Sequence, residues 1–188
     1  MLCADAIAVT PRAQIGFPET GIGIYPGLLG TWRLTQRVGR GMARYLVGTG
    51  LPVNGEDAAA IGLADLCVAP VELDPDRLSS LPRAPRPTLS GAWADTAAFM
   101  EAHTLGELLN GTFTSEWQQR IQKRFRTKAP LALRKAIELV DMAMERTRSQ
   151  ASAAELAGLA WIFATPDALT GLKSIGGPRP VFTGKEQA

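Results

Sequence analysis

The chain has 188 residues, 46% hydrophobic and 20% charged, the balance of a packed domain rather than of a disordered or fibrous chain, and the length suits one or two domains. A formal net charge of +2 is too small to argue for a nucleic-acid partner. No run approaches the roughly eighteen consecutive apolar residues of a membrane span, and no charged-then-apolar leader is visible, so a soluble, cytoplasmic protein without membrane contact is expected.

From residue 1 to about 70 the pattern alternates. Short β-like runs at Ala6–Val9 and Gln14–Phe17 precede glycine-rich turns, and Pro18, which lacks a backbone donor, marks a strand end. Thr31 is expected to cap a helix running to Val38, and Gly39 and Gly41 to interrupt it. A second helix through Met42, Tyr45 and Leu46 should close at Gly48 and Gly50. Asn54 then caps a short helix over Glu56–Ala60, and a strand follows at Leu66–Val68. Strands separated by short helices imply α/β winding.

Over residues 71–93 the prolines Pro75, Pro82, Pro85 and Pro87 exclude helix interiors and central strands, which makes a connector. Beyond it nearly everything reads as helix. One helix covers Asp95–Ala102. Thr104 with Glu107, and Ser115 with Gln118, have the spacing of capping boxes. Pro130 suits a first helical position, Ser152 with Glu155 opens another helix, and Thr165-Pro166-Asp167 opens the last. Leu133, Ile137, Val140 and Met144 make one apolar stripe and Leu156, Leu159 and Phe163 another, each to be covered either by the core or by another copy of the chain.

The chemistry concentrates at Glu19. A carboxylate between an apolar strand and a glycine-rich turn, flanked by Phe17, Ile22 and Ile24, is partly desolvated, which raises its pKa toward the range of an acid or base at neutral pH. A loop carboxylate accepting backbone N–H bonds is the plain alternative. Cys3 and Cys67 sit in apolar strings without C-x-x-C spacing and read as reduced core thiols. With a single histidine, His103, read as structural or exposed, no metal site is expected. The basic run Arg120, Lys123, Arg124, Arg126 and Lys128 is either a solvated helix face or a patch that steers an anionic ligand.

The wording around Glu19 is more specific than its spacing. Phe17-Pro18-Glu19, Gly21-Ile22-Gly23, Pro26-Gly27, Gly30-Thr31-Trp32-Arg33-Leu34, Asn54–Ala60, Ile61–Val68, Ala129–Ala136, Phe163–Leu172 and Arg179–Gly184 together resemble the crotonase superfamily, the enoyl-CoA hydratase/isomerase family. The resemblance implies an α/β chain: the C-terminal part of a ββα spiral core over 1–70, the connector over 71–93, and an all-helical C-terminal region over 94–188 that supports homotrimers or hexamers. It implies an acyl-CoA thioester as substrate, with coenzyme A part of the substrate and no separate cofactor. Glu19 becomes the proton-handling glutamate, Pro26 and Gly27 line the acyl site, and Arg179 and Phe182 match an ending where a cation meets the phosphates of coenzyme A, unless Arg179 is only a solvated tail charge.

In this family two backbone N–H groups hold the thioester oxygen, and both lie upstream of the matched part, so the chain is expected to be a C-terminal fragment, a mis-called start or one piece of a split gene. Leu29 departs from a Gly-Gly pair and would be strained at a positive φ. Gly27 stands where members that hydrolyse 3-hydroxyisobutyryl-CoA carry aspartate, whereas the long 71–128 stretch resembles those hydrolases. Three functions remain open: enoyl-CoA hydratase or isomerase, 3-hydroxyacyl-CoA thioester hydrolase, and a non-catalytic remnant or assembly subunit.

Overall fold

A computed structural model describes residues 1–70 and 85–186, so the first part of the expected connector, over 71–84, lies outside the described residues. The N-terminal apolar runs become strands β1 (Ala8–Val9) and β2 (Gln14–Ile15), joined later by β3 (Val53–Asn54) and β4 (Leu66–Cys67). β1 pairs in parallel with β4, Ala8 opposite Leu66, and β2 pairs antiparallel with β3, Ile15 opposite Val53. The β2–β3 ladder stops after Ile15, because the next residue, Gly16, comes opposite Pro52, which has no N–H to donate.

Between β2 and β3 lie a 3-10 turn (Glu19–Ile22), α1 (Gly30–Val38) and α2 (Arg40–Thr49), and α3 (Gly55–Ala60) leads to β4. Asn54 caps α3 as its sequence position indicates, its Oδ1 accepting from the Asp57 N–H at 2.8 Å. Thr31 does not cap α1. Left-handed backbone at Leu29 turns the chain into the helix earlier, and Thr31 is buried in its first turn. Nor does Gly41 break a helix: it lies inside α2, where a Cβ would fall 2.4 Å from the Ala97 carbonyl oxygen. Gly48 likewise stays within α2 and lies under the Phe125 ring, and the helix ends at Gly50, φ +59°.

From Gly91 onward the chain is helical: α4 (Gly91–Ala102), α5 (Leu105–Asn110), α6 (Glu116–Phe125), α7 (Pro130–Asp141), α8 (Arg148–Ala164) and α9 (Pro166–Lys173). Thr104 and Glu107 form their capping box, and Pro130 and Pro166 open their helices. Ser115 precedes α6 but makes no side-chain cap. α8 starts a turn before Ser152, because Thr147 and Gln150 form a reciprocal box with bonds of 2.9 and 3.3 Å.

α2 is the central element, packed against α1, α4, α6 and α7. Leu34, Met42, Leu46, Met100, Phe125, Leu133 and Val140 fill the space between them and are buried. Arg44 crosses this core and pairs with Asp141, its Nη2 donating to Oδ2 at 2.7 Å, while Nη1 donates to the Met100 and His103 carbonyls at 2.6 and 3.1 Å. Of the two apolar stripes, Leu133, Ile137 and Val140 pack inside the chain, whereas Met144, Leu156 and Phe163 are exposed. Cys3 is no core thiol: it lies exposed in the N-terminal turn, and Cys67 is half-buried in β4. Among the described residues no helix is long and apolar enough to cross a membrane.

Candidate active site

Glu19 opens the 3-10 turn, and three elements hold that turn in place. The Thr20 hydroxyl donates to the Val47 carbonyl of α2 at 2.8 Å, and the Ala129 N–H, just ahead of α7, donates to the Thr20 carbonyl at 2.9 Å. α9 lies against the far side so closely that a Cβ on Gly171 would sit 2.2 Å from the Ile22 carbonyl oxygen. A side chain carried by so clamped a backbone is suited to chemistry that needs fixed geometry.

Glu19 faces a cavity of about 380 Å³ whose walls include Gln14, Phe17, Pro26, Gly27 and Arg33. Its Oε2 is buried without a hydrogen-bond partner, and so is the Arg33 Nε. Burial is the main influence on Glu19 and raises its pKa above the ordinary 4.5, against a smaller lowering by a backbone hydrogen bond. A carboxyl group raised in this way, on the wall of a cavity, can take up and return a proton. Gly27 is exposed on the wall, and a Cβ there would meet nothing within 4 Å. A side chain would fit, so the lack of an aspartate at this position is a difference of chemistry and not of space.

Leu29 adopts the positive φ that its place in the glycine-rich block suggests, +59°, and Leu28 beside it has +56°. Left-handed backbone costs about 1–2 kcal/mol per such residue.

The structure gathers Glu19, Pro26 and Gly27 around one cavity and leaves the other two sequence candidates elsewhere. Arg179 lines a separate groove of about 630 Å³ with Tyr45, Trp117, Arg120, Lys123 and Arg124. Phe182 is half-buried and packs against the core. The basic run divides: Arg126 turns away to donate to the Leu109 carbonyl at 2.7 Å. Lys128 is buried, and desolvation, aided by Arg179 and Arg124, pushes it down to about 8. His103 belongs to an aromatic cluster with Phe99 and Phe113, its Nδ1 2.8 Å from the Phe99 carbonyl oxygen. Among the described residues no three His, Cys, Asp or Glu side chains gather as a metal site would require. Sequence reasoning missed Arg33, which looks like any helix-surface cation, and Glu155, which it placed at a helix start.

The whole wall around Glu19 falls within residues 1–88, which match the family model for enoyl-CoA hydratase/isomerase. This N-terminal part of the chain is similar to that family, the crotonase superfamily. Over 75 residues the chain is 43% identical to a crotonyl-CoA hydratase of Syntrophomonas wolfei, an alignment covering 40% of the chain and 29% of that protein. Over 73 residues it is 44% identical to a glyoxysomal fatty acid beta-oxidation multifunctional protein of Cucumis sativus, covering 39% and 10%. Its crotonase fold is shared with an enoyl-CoA hydratase from Rhodobacter sphaeroides, TM-score 0.76 at 23% identity, over 96% of this chain and 58% of that one. A carnitinyl-CoA dehydratase from Mycobacterium thermoresistibile follows the same course, TM-score 0.71 at 20% identity, over 92% and 55%. The chain thus spans a little over half of these solved structures and less than a third of the curated relatives.

Proposed function

We propose that the chain acts on acyl-CoA thioesters and serves to add water across, or to shift, the double bond of an enoyl-CoA, with Glu19 as the proton-handling group. The observation that carries this reading is Glu19 on the cavity wall, with one carboxylate oxygen buried and unpaired and the carboxyl pKa raised by burial. In hydration the water oxygen bonds to C3 while its proton passes to Glu19. The double-bond electrons move onto the thioester as an enolate, and C2 then takes up a proton. The charge that develops on the thioester oxygen calls for preorganised N–H donors, which the family supplies from backbone upstream of the matched block. Coenzyme A enters as part of the substrate. The cationic groove around Arg179 is where its phosphates would be met, and the exposed Leu156 and Phe163 offer a face for a homotrimer or hexamer.

A thioester hydrolase is the second reading, supported by the α4–α5 stretch that resembles that subgroup. The glycine at position 27 favours hydration, since the hydrolases carry a carboxylate there.

Crotonyl-CoA hydration tests the proposal. The 188 residues alone turn over slowly, each missing oxyanion donor costing about 100–1,000-fold. Extended upstream by the family's donor segment, the chain hydrates crotonyl-CoA, and Glu19→Gln abolishes this while acyl-CoA binding stays within about threefold, because only the transition state loses its proton acceptor. Turnover unchanged by Glu19→Gln refutes the role of Glu19. Acyl-CoA binding with no turnover in the extended chain favours a non-catalytic subunit.

A further inference from the structure

One side chain of α8 bonds the backbone of the loop that lines the Glu19 cavity. Glu155 is only 5% exposed, and its Oε1 accepts the Leu29 N–H at 3.0 Å. Its Oε2 is buried with no partner. The same residue is engaged through its backbone, the Tyr25 hydroxyl donating to the Glu155 carbonyl at 2.6 Å. Tyr25 and Leu29 bracket Pro26, Gly27 and Leu28, so both ends of the cavity's outer wall are tied to one residue of the helical region. Leu28 and Leu29 hold left-handed backbone, φ +56° and +59°, which leucine rarely adopts unless its surroundings impose it. Leu29 also precedes the first turn of α1, where a carboxylate meets the positive end of the helix.

An apolar side chain would fill the inner face of α8 without burying a charge. The carboxylate, unpaired at one oxygen, is explained by the backbone N–H it meets. Beside it, near Gly158, lie Tyr25 and Lys135, the latter engaged with Glu138 at 2.7 Å.

We infer that Glu155 is a positioning residue: by accepting the Leu29 N–H it holds the Pro26–Gly30 wall in the left-handed shape that faces Glu19. That this shape serves catalysis rests on the hydratase reading above, but that Glu155 sets it does not.

Amide exchange and 15N–1H spectra of the 188-residue chain test this without any turnover assay, so a failure of the hydratase reading leaves the outcome intact. In Glu155→Ala the Leu29 amide exchanges about tenfold faster or more, as loss of a charge-assisted hydrogen bond implies, while the α7 amides of Ala136 and Val140 keep their rates. Glu155→Gln, whose side-chain oxygen can still accept, restores most of the protection. In the wild type the Leu29 amide shift follows the titration of a carboxylate; Glu155→Gln removes that response and Glu19→Gln does not. Should the alanine variant not fold, this titration decides. A Leu29 shift that still titrates in Glu155→Gln, or Leu29 exchange unchanged in a folded Glu155→Ala, overturns the inference.

Discussion

Replacing Glu19 by glutamine should make the chain more stable at neutral pH. The Glu19 Oε2 is buried without a partner, and burial raises the carboxyl pKa above 4.5, so the folded state disfavours the ionised form relative to the unfolded chain. Leaving a buried polar atom unpaired costs about 1–3 kcal/mol. Glutamine keeps a polar atom at the same place, so only the part due to charge returns, about 1 kcal/mol. Because the folded pKa is the higher one, the stability that protonated Glu19 contributes is complete below the unfolded pKa and is lost as pH rises through the folded value. The advantage of glutamine is therefore absent at about pH 3.5, develops above the ordinary carboxylate range and levels off beyond the folded pKa. Urea unfolding followed by fluorescence of Trp32, Trp93, Trp117 and Trp161, with both proteins at about pH 3.5 and at pH 7, measures this. A glutamine variant less stable at pH 7, or a difference equal at both values, refutes the account of Glu19 as a desolvated carboxylate.

Arg44→Ala strips Asp141 and two backbone carbonyls of a shared buried donor, so urea midpoints should report a loss of about 3–5 kcal/mol; a loss under about 1 kcal/mol refutes the central role given to this pair. Light scattering at about micromolar concentration should show a trimer or hexamer that Phe163→Asp dissociates without lowering thermal stability, since Phe163 is 46% exposed. Val140→Asp should instead unfold the chain, because Val140 is fully buried. A monomeric wild-type chain refutes the assembly face.

Local rules read well from sequence where partners lie within a few residues. The Asn54 cap, the Thr104–Glu107 box and the Thr165-Pro166 helix start each depend on a side chain and an N–H three positions away, and the Pro130 start on the fixed φ of proline itself. The strained φ at Leu29 was legible too, because leucine stands there in a block otherwise built on glycine. Most of the wall around Glu19 is equally local, since Gln14, Phe17, Pro26, Gly27 and Arg33 are all close to it in the chain.

What tertiary structure alone decided concerns groups far apart in sequence. Gly41 and Gly48 read as helix breaks, yet they are helix interiors that let Ala97 and Phe125 approach, because a glycine's backbone freedom is visible in sequence and its contact partner is not. Glu155 has the spacing of a helix cap, but α8 begins a turn earlier, and this places its carboxylate on the Leu29 N–H. The two apolar stripes each divide, Leu133, Ile137 and Val140 being buried and Leu159 packing against the core while Met144, Leu156 and Phe163 stay exposed, since periodicity defines a face without saying what covers it. Arg179 and Phe182 follow Glu19 in the family's order of motifs but sit outside its cavity. Order along a chain is one-dimensional, and the distance between two motifs is set only when the helices that carry them pack.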